Sequence, residues 1–486
     1  MKLKSALFFV HRWIGIGMCL LFALWFASGI VMMYVEYPEL TEEERLTNLI
    51  PIDFDSVRIP PQQVFEIAGS SGKFAGMKLA TILGRPTYQI ETGLEGPISI
   101  FADDGTVLTG LSEPQALNAA EQSGFYQSGL ELEYDGVRDY DQWTLSSGLN
   151  ASRPLHRIRL NDTAGTVLYV SDKSGLIVRD TNRAEMLWNW IGSTIHWIYP
   201  KQLRKNVNLW IDVIVYLSLI GIFSVLTGAI IGFLRLRIRK PYKGKYFSPY
   251  AGMMKWHHIL GLLSLVFVST FIFSGLMSMG PWGIFESSVP QSQQVARYQN
   301  LNAVSVEGLP DARELSGESG IKEVRWHSIA GESYLTALRS ENDRSVRFNK
   351  LNDKDQSLIL LTKLTAAIPY LLPDYKLDQL DMIREYDDYY YSRHNRYRPL
   401  PVYRAKFNDQ EETWYHIDLT TGEIVNRVTS ADRLERWIYN GLHSLDFQFL
   451  LDRRPVWDVL VIVLSIIGFV FSVTSVVIGW KRLVNL

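Results

Sequence analysis

Four stretches of this 486-residue chain run beyond twenty residues without a Lys, Arg, Asp or Glu. They are Trp13 to Val35, Val213 to Leu234, Ile259 to Pro281 and Val459 to Trp480. As a helix, each is long enough to cross a hydrocarbon core of about 30 Å. Composition alone hides this, since 47% hydrophobic residues and a mean hydropathy of zero suit a soluble enzyme equally well. The first stretch does not read as a signal peptide: its apolar run is too long, and His11-Arg12 falls where a signal's apolar region should be under way.

Charge placement predicts an orientation. The amino terminus (Lys2, Lys4, Arg12), the connection from Arg235 to Lys255 and the tail with Lys481 and Arg482 hold twelve basic residues and no acidic one. Basic flanks face the cytoplasm, so both termini are expected there and the two long segments outside. With those twelve residues and the span-end Asp212 and Asp458 set aside, the rest carries 37 basic and 49 acidic residues. That surplus argues against a nucleic-acid partner. The single cysteine, Cys19, rules out disulfides and leaves no cysteine motif for zinc, an iron–sulfur cluster or covalent haem.

The chain repeats itself at a shift of 246–247 residues. His11-Arg12-Trp13-Ile14-Gly15 matches His257-His258-Ile259-Leu260-Gly261, and Ser28-Gly29 matches Ser274-Gly275. Trp190 and His196 match Trp437 and His443; Trp210, Gly221, Thr227 and Gly232 match Trp457, Gly468, Thr474 and Gly479. Each repeat reads span, outer domain, span, so both copies insert alike and the expected symmetry axis lies along the membrane normal. The expected architecture is an α-helical membrane protein of four transmembrane helices in two tandem repeats, with two extracytoplasmic α+β domains. The boundaries are 1–35, 209–234, 256–281 and 456–480 for the helices, and 36–208 and 282–455 for the outer domains. An interfacial segment covers 187–200, a basic loop 235–255 and a tail 481–486. Within the outer domains Tyr88 to Thr92, Ile98 to Phe101 and Val167 to Val170 predict strands, as do Val402 to Phe407 and Trp414 to Asp418; Pro114 to Gln122 and Leu358 to Ala367 predict helices.

These motifs resemble the PepSY-associated transmembrane family of bacterial inner membranes. The residues that carry the resemblance are His11 to Gly15, Trp256-His257-His258, Ser274-Gly275-Leu276, Asp141-Gln142-Trp143-Thr144, Arg153-Pro154-Leu155-His156-Arg157, Trp188-Asn189-Trp190, His196-Trp197, Trp414 to Asp418 and Leu442 to Phe447. The resemblance implies four spans and two PepSY-type outer domains. Some relatives are similar to haem-containing reductases that release iron from ferric siderophores, and isolated PepSY domains are associated with inhibiting metallopeptidases. A family label does not fix a reaction.

Four of the nine histidines fall at duplicated membrane boundaries. His11 and His257 begin spans one and three; His196 and His443 precede spans two and four near the other face. About a two-fold axis each pair can converge, giving two bis-histidine layers suited to two non-covalent haems b, with the four histidines as axial iron ligands. His258 competes with His257, since the two point 100° apart on a helix. Gly29 and Gly275 each follow the inner histidine by 18 residues, five helical turns, and would leave room for a flat macrocycle; close helix packing explains them too. Arg12 would meet propionates on the inner face, and Lys201, Arg204, Lys205, Arg453 and Arg454 on the outer face, with anionic headgroups of membrane lipid as the other partner.

Tyr386-Asp387-Asp388-Tyr389-Tyr390-Tyr391 is a possible docking stretch or a strand edge, and His156, His327, His394 and His416, being unduplicated, read as structural. No phosphate-cradling loop, dinucleotide fingerprint or HExxH motif is present, so no NAD or flavin site is expected. Electrons would arrive from a quinol or a reductase partner. The leading expectation is a haem b protein passing electrons outward to a ferric chelate or siderophore. The alternative is a membrane-anchored module acting on an envelope peptidase, without redox activity. A transport accessory is disfavoured by the lack of charge at the span centres.

Overall fold

The computed structural model describes residues 2–69, 76–91, 96–243, 246–287, 290–300, 304, 306–348, 356–392 and 396–485. Two compact units result: Met1–Tyr37 with Glu185–Glu286 and Ala431–Leu486, and Pro38–Ala184 with Ser287–Ser430.

The first unit is helical. Leu3–Met32, Val207–Arg235 and Val456–Val484 are each long and apolar enough to cross a membrane. The third uncharged stretch is divided: Gly252–Leu263 and Leu265–Met277 meet at a 69° bend, so the number of spans is three, or four if the pair counts as one. The break falls at Ser264, three residues after Gly261, the kind of Gly/Ser pair that weakens a helix against bending. The first helix packs on the last and on Val207–Arg235, while the two halves of the bent pair pack on those same two neighbours. Met18, Phe22 and Phe26 of the first helix meet Val268 and Ile272 of the bent pair in a dry centre.

Glycines let these helices close up. A Cβ at Gly468 would lie 2.5 Å from Phe26, one at Gly221 3.2 Å from Phe22, and one at Gly232 2.8 Å from Leu262. Here the small residues serve helix packing.

The second unit holds three antiparallel sheets. The first segment supplies β1 (Met77–Ile82), β2 (Arg85–Glu91), β3 (Pro97–Phe101), β4 (Glu133–Arg138), β5 (Leu155–Arg159), β6 (Val167–Ser171) and β7 (Ile177–Thr181). The second supplies β8 (Glu323–Ile329), β9 (Glu332–Leu338), β10 (Arg344–Phe348), β11 (Leu377–Ile383), β12 (Val402–Phe407), β13 (Trp414–Asp418) and β14 (Ile424–Val428). Sheets β4–β7 and β11–β14 are copies, even to a bulge after Tyr169 in one and after His416 in the other. Each is covered by a helix, Glu113–Glu121 through Ala116 and Ala120, and Gln356–Ala367 through Leu360 and Leu364.

The third sheet joins the repeats, in the order β10-β9-β8-β1-β2-β3. Met77 pairs with Trp326 and Ala80 with Glu323, so the two long segments that the sequence presents as separate share one ladder and one apolar core. Beside it the buried carboxylate of Glu323 meets Arg45 at 2.6 Å and Arg325 at 2.6 Å, and Glu42 pairs with both arginines. Burial pushes the carboxyls of Glu42 and Glu323 up, but Arg45 and Arg325 outweigh it and bring each down to about 2.

The expected strands and helices of the two long segments lie within these elements, except that the helix expected to Gln122 ends at Glu121. Thr92 and His394 fall outside the described residues.

Two histidine pairs as the candidate functional site

His196 ends a four-residue helix, Ser193–His196, and His443 sits in Leu442–Ser444. Two residues on, Ile198 and Leu445 both adopt positive φ (49° and 53°), a conformation rare for non-glycine residues and costly for a β-branched one. The chain thus turns sharply after each histidine. Trp210 and Trp457 hold the turn, their indole N–H donating to the carbonyls of Trp197 and Ser444 at 2.9 Å in both cases.

The two turns bring the His196 and His443 rings to a centroid separation of 6.0 Å. Nδ1 of His196 donates to the Trp25 carbonyl at 3.1 Å and lies 3.2 Å from Ser28 Oγ. Nδ1 of His443 donates to the Phe271 carbonyl at 3.1 Å and lies 3.0 Å from Ser274 Oγ. Both serine hydroxyls give their own proton to a carbonyl of their helix, so their oxygens are left to accept. Gly29 and Gly275 complete the seats: a Cβ at either would stand 3.4 Å from Cε1 of the ring. The two glycines therefore sit at the layer of His196 and His443, not at that of His11 and His257.

At the other layer His11 and His257 lie 6.5 Å apart, ring centre to ring centre. Nδ1 of His11 donates to the Ser224 carbonyl at 3.2 Å and meets Thr227 Oγ1 at 3.1 Å. Nδ1 of His257 meets Thr474 Oγ1 at 3.3 Å and Ser475 Oγ at 3.1 Å. Thr227 and Thr474 spend their protons on Phe223 and Phe471, again leaving acceptor oxygens. His257 also stacks on Phe471 at 5.0 Å, and Gly228 passes so near His11 that a Cβ would be 2.8 Å from Cε1.

One chemical consequence holds at His11, His196 and His257. With Nδ1 carrying the proton, Nε2 presents its lone pair, the state of a metal-binding imidazole whose other nitrogen is anchored by an outer partner. Among the described residues no hydrogen bond reaches Nε2 of His11, His196 or His257. His258 is different: Ser248 Oγ takes its Nδ1 at 2.8 Å and the Gly232 carbonyl its Nε2 at 2.9 Å, so both nitrogens are committed and it ties the helix start to its neighbour.

Two imidazoles sharing one ion, each with a bond of about 2.0–2.1 Å, place their ring centres roughly 6 Å apart. The 6.0 and 6.5 Å separations match that spacing. No group of three or more His, Cys, Asp or Glu gathers anywhere among the described residues. Two protein ligands fall short of the three or four that zinc takes, but suffice where a macrocycle supplies the equatorial nitrogens.

The neighbouring arginines are largely spoken for. Arg204 is buried over Tyr199 and Trp210, and Arg454 lies over Trp457 while pairing with Asp458 at 3.2 Å. Arg12 is exposed. The tyrosine-rich stretch turns inward: Asp387 holds Arg404 through two bonds of 2.7 and 2.9 Å, and Tyr390 is buried against His416. Burial, then Arg404, push His416 down to about 3, leaving its Nε2 to accept from that arginine. His156 is likewise engaged at both nitrogens, by Tyr134 and Asp172, and His327 stacks on Tyr334.

Sequence reasoning passed over the seat residues. Ser28, Ser274, Thr227, Thr474, Trp210 and Trp457 all stood among the duplicated positions, and that duplication was the signal that could have marked them. No protein-family model, curated protein or solved structure matches the chain.

Proposed function

We propose that the chain is a bacterial inner-membrane haem b protein that passes electrons across the bilayer to an extracytoplasmic ferric chelate, such as a ferric siderophore. The observation that carries this reading is the set of four Nδ1-anchored histidines in two facing pairs. His11 with His257 would hold one haem and His196 with His443 the other, non-covalently. A haem bound this way supplies reversible one-electron chemistry whose potential follows its ligands and burial. The chain's own residues fix the tautomer through Nδ1, raise the basicity of Nε2 and keep water from the rings. Gly29 lies beside His196 and 18 residues after His11, about 27 Å along a helix, so the layers are spaced almost as far apart as the faces of a bilayer.

The resemblance to PepSY-associated proteins, the cytoplasmic placing of both termini and the four-span count belong to this same proposal. A purely peptidase-directed module would leave the duplicated Nδ1 seats without a task. The deciding measurement is the visible spectrum of the purified full-length protein from haem-replete cells. A dithionite-reduced b-type Soret and α band is expected, with reoxidation on adding a ferric chelate. Haem-free protein would overturn the haem reading; reduced protein inert to every ferric chelate would remove the acceptor.

A further inference from the structure

A cavity of about 680 Å3 opens between the start of the first long helix and the end of Val207–Arg235. Four cations line it, Lys4, Arg12, Arg235 and Arg237, and no acidic side chain does. Phe8 and Phe9 form its apolar part. The arginines are held in place: Arg235 lies 4.9 Å over the Phe8 ring, Arg237 lies 4.4 Å over Tyr242, and the Tyr242 hydroxyl donates to the Arg235 carbonyl at 3.2 Å.

General attraction of basic flanks to a membrane needs only exposed charge, and either repeat would supply it. The residues that line this cavity are not repeated as a set. The positions that repeat Lys4, Phe8 and Arg12 are Tyr250, Met254 and His258, and His258 is buried with both nitrogens engaged. Of the four cations the second repeat keeps only one, Arg482 at the position of Arg235, while Val484 stands at that of Arg237.

We propose that this cavity is a binding site for the headgroup of an anionic phospholipid. The phosphate would sit among the four cations, where like charges otherwise repel one another, and an acyl chain would run past Phe8 and the exposed Phe9 along the first helix. Free phosphate and haem propionates share the anionic chemistry, but the apolar side chains of the lining, Phe8, Phe9 and Leu234, match a lipid. Arg12 is shared with the haem reading, as a partner of propionates, but Lys4, Arg235 and Arg237 have no part in the histidine seats.

The test is native mass spectrometry of the full-length protein in neutral detergent, with phosphatidylglycerol or phosphatidylcholine added. The wild type is expected to retain one phosphatidylglycerol at concentrations where phosphatidylcholine is not kept. Arg235→Gln with Arg237→Gln should weaken that retention about tenfold or more. Millimolar inorganic phosphate should not displace the lipid, and haem content should be the same in variant and wild type. Equal retention of both lipids, or of phosphatidylglycerol by wild type and double variant, overturns the proposal. So does displacement by inorganic phosphate, or a loss of haem that follows the loss of lipid. Should the double variant fail to fold, Lys4→Glu on the exposed first turn reads the same question, and unchanged phosphatidylglycerol retention there is equally fatal.

Discussion

The two histidine layers were built from the same duplication, yet only one has stayed symmetric. At the His196–His443 layer each ring has the same seat: a carbonyl, a serine hydroxyl and a bare glycine, followed by the same left-handed turn and the same tryptophan clamp. At the His11–His257 layer the seats differ. Gly228 and the Ser224 carbonyl serve one ring; Ser475 and the Phe471 ring stand at the matching positions for the other. What both layers keep is a protonated, anchored Nδ1. The constraint therefore lies on the opposite nitrogen, and the means of imposing it are interchangeable.

The largest effects should come from the rings themselves. His196→Ala and His443→Ala should each remove about half of the haem absorbance per protein, and to the same extent, because their seats are copies. Pyridine haemochrome assay checks this; unchanged haem content in these variants and in His11→Ala and His257→Ala would end the two-layer idea.

Next in size is the asymmetric layer. Gly228→Ala drives a methyl into His11 and should abolish or strongly shift the spectrum of that layer. Ser475→Ala, at the repeat-equivalent position, removes only one of two hydroxyl partners and should leave the spectrum nearly intact. Equal effects would mean that the crowding at His11 is relieved by movement. Deleting both hydroxyls of the other ring, Thr474→Ala with Ser475→Ala, strips every Nδ1 partner from His257. Haem retention should fall about 10–100-fold, as when an outer partner of a ligating imidazole is lost. Ser28→Ala and Ser274→Ala should each cost less, since the carbonyls of Trp25 and Phe271 remain, and the two costs should be equal.

The smallest effect at neutral pH lies in the joined sheet, where Glu323 stands at the position that repeats Met77. Folded carboxyls near 2, against about 4.5 when unfolded, mean that the unfolded chain binds more protons between those values. Stability from Glu42 and Glu323 is therefore full above about pH 4.5 and falls away as pH drops toward 2. Thermal unfolding across that range should show the loss in the wild type and a shallower one in Glu323→Gln. An identical slope in both would show that the buried carboxylate is not what acid attacks.

The sequence was legible where a property is local or duplicated. Uncharged stretches marked the long helices, and the 246–247 shift singled out His11, His257, His196 and His443 as two pairs that the structure brings face to face. It was silent where the answer depends on contacts between distant elements. The register of β1 on β8 needs residues some 245 positions apart, and no local pattern announces it. The bend at Ser264 arises in an apolar run that reads as continuous. Whether Gly29 answers to His11, on its own helix, or to His196, from another, is set by helix packing, and helical phase alone pointed to the first. Alignment with His11 already favoured His257 over His258, and the hydrogen bonds at both nitrogens of His258 agree.

The β1–β8 ladder also sets a timetable for the growing chain. Until the ribosome has added the second segment, β1 is an apolar sheet edge with its outer hydrogen-bonding groups open, the type of surface that recruits foreign strands. At elongation rates of about 5–20 residues per second, those 245 residues take on the order of 10–50 s. For that interval the open edge must be shielded by something other than β2, which pairs only with the opposite edge of β1, before the chain's own second half arrives to close the sheet.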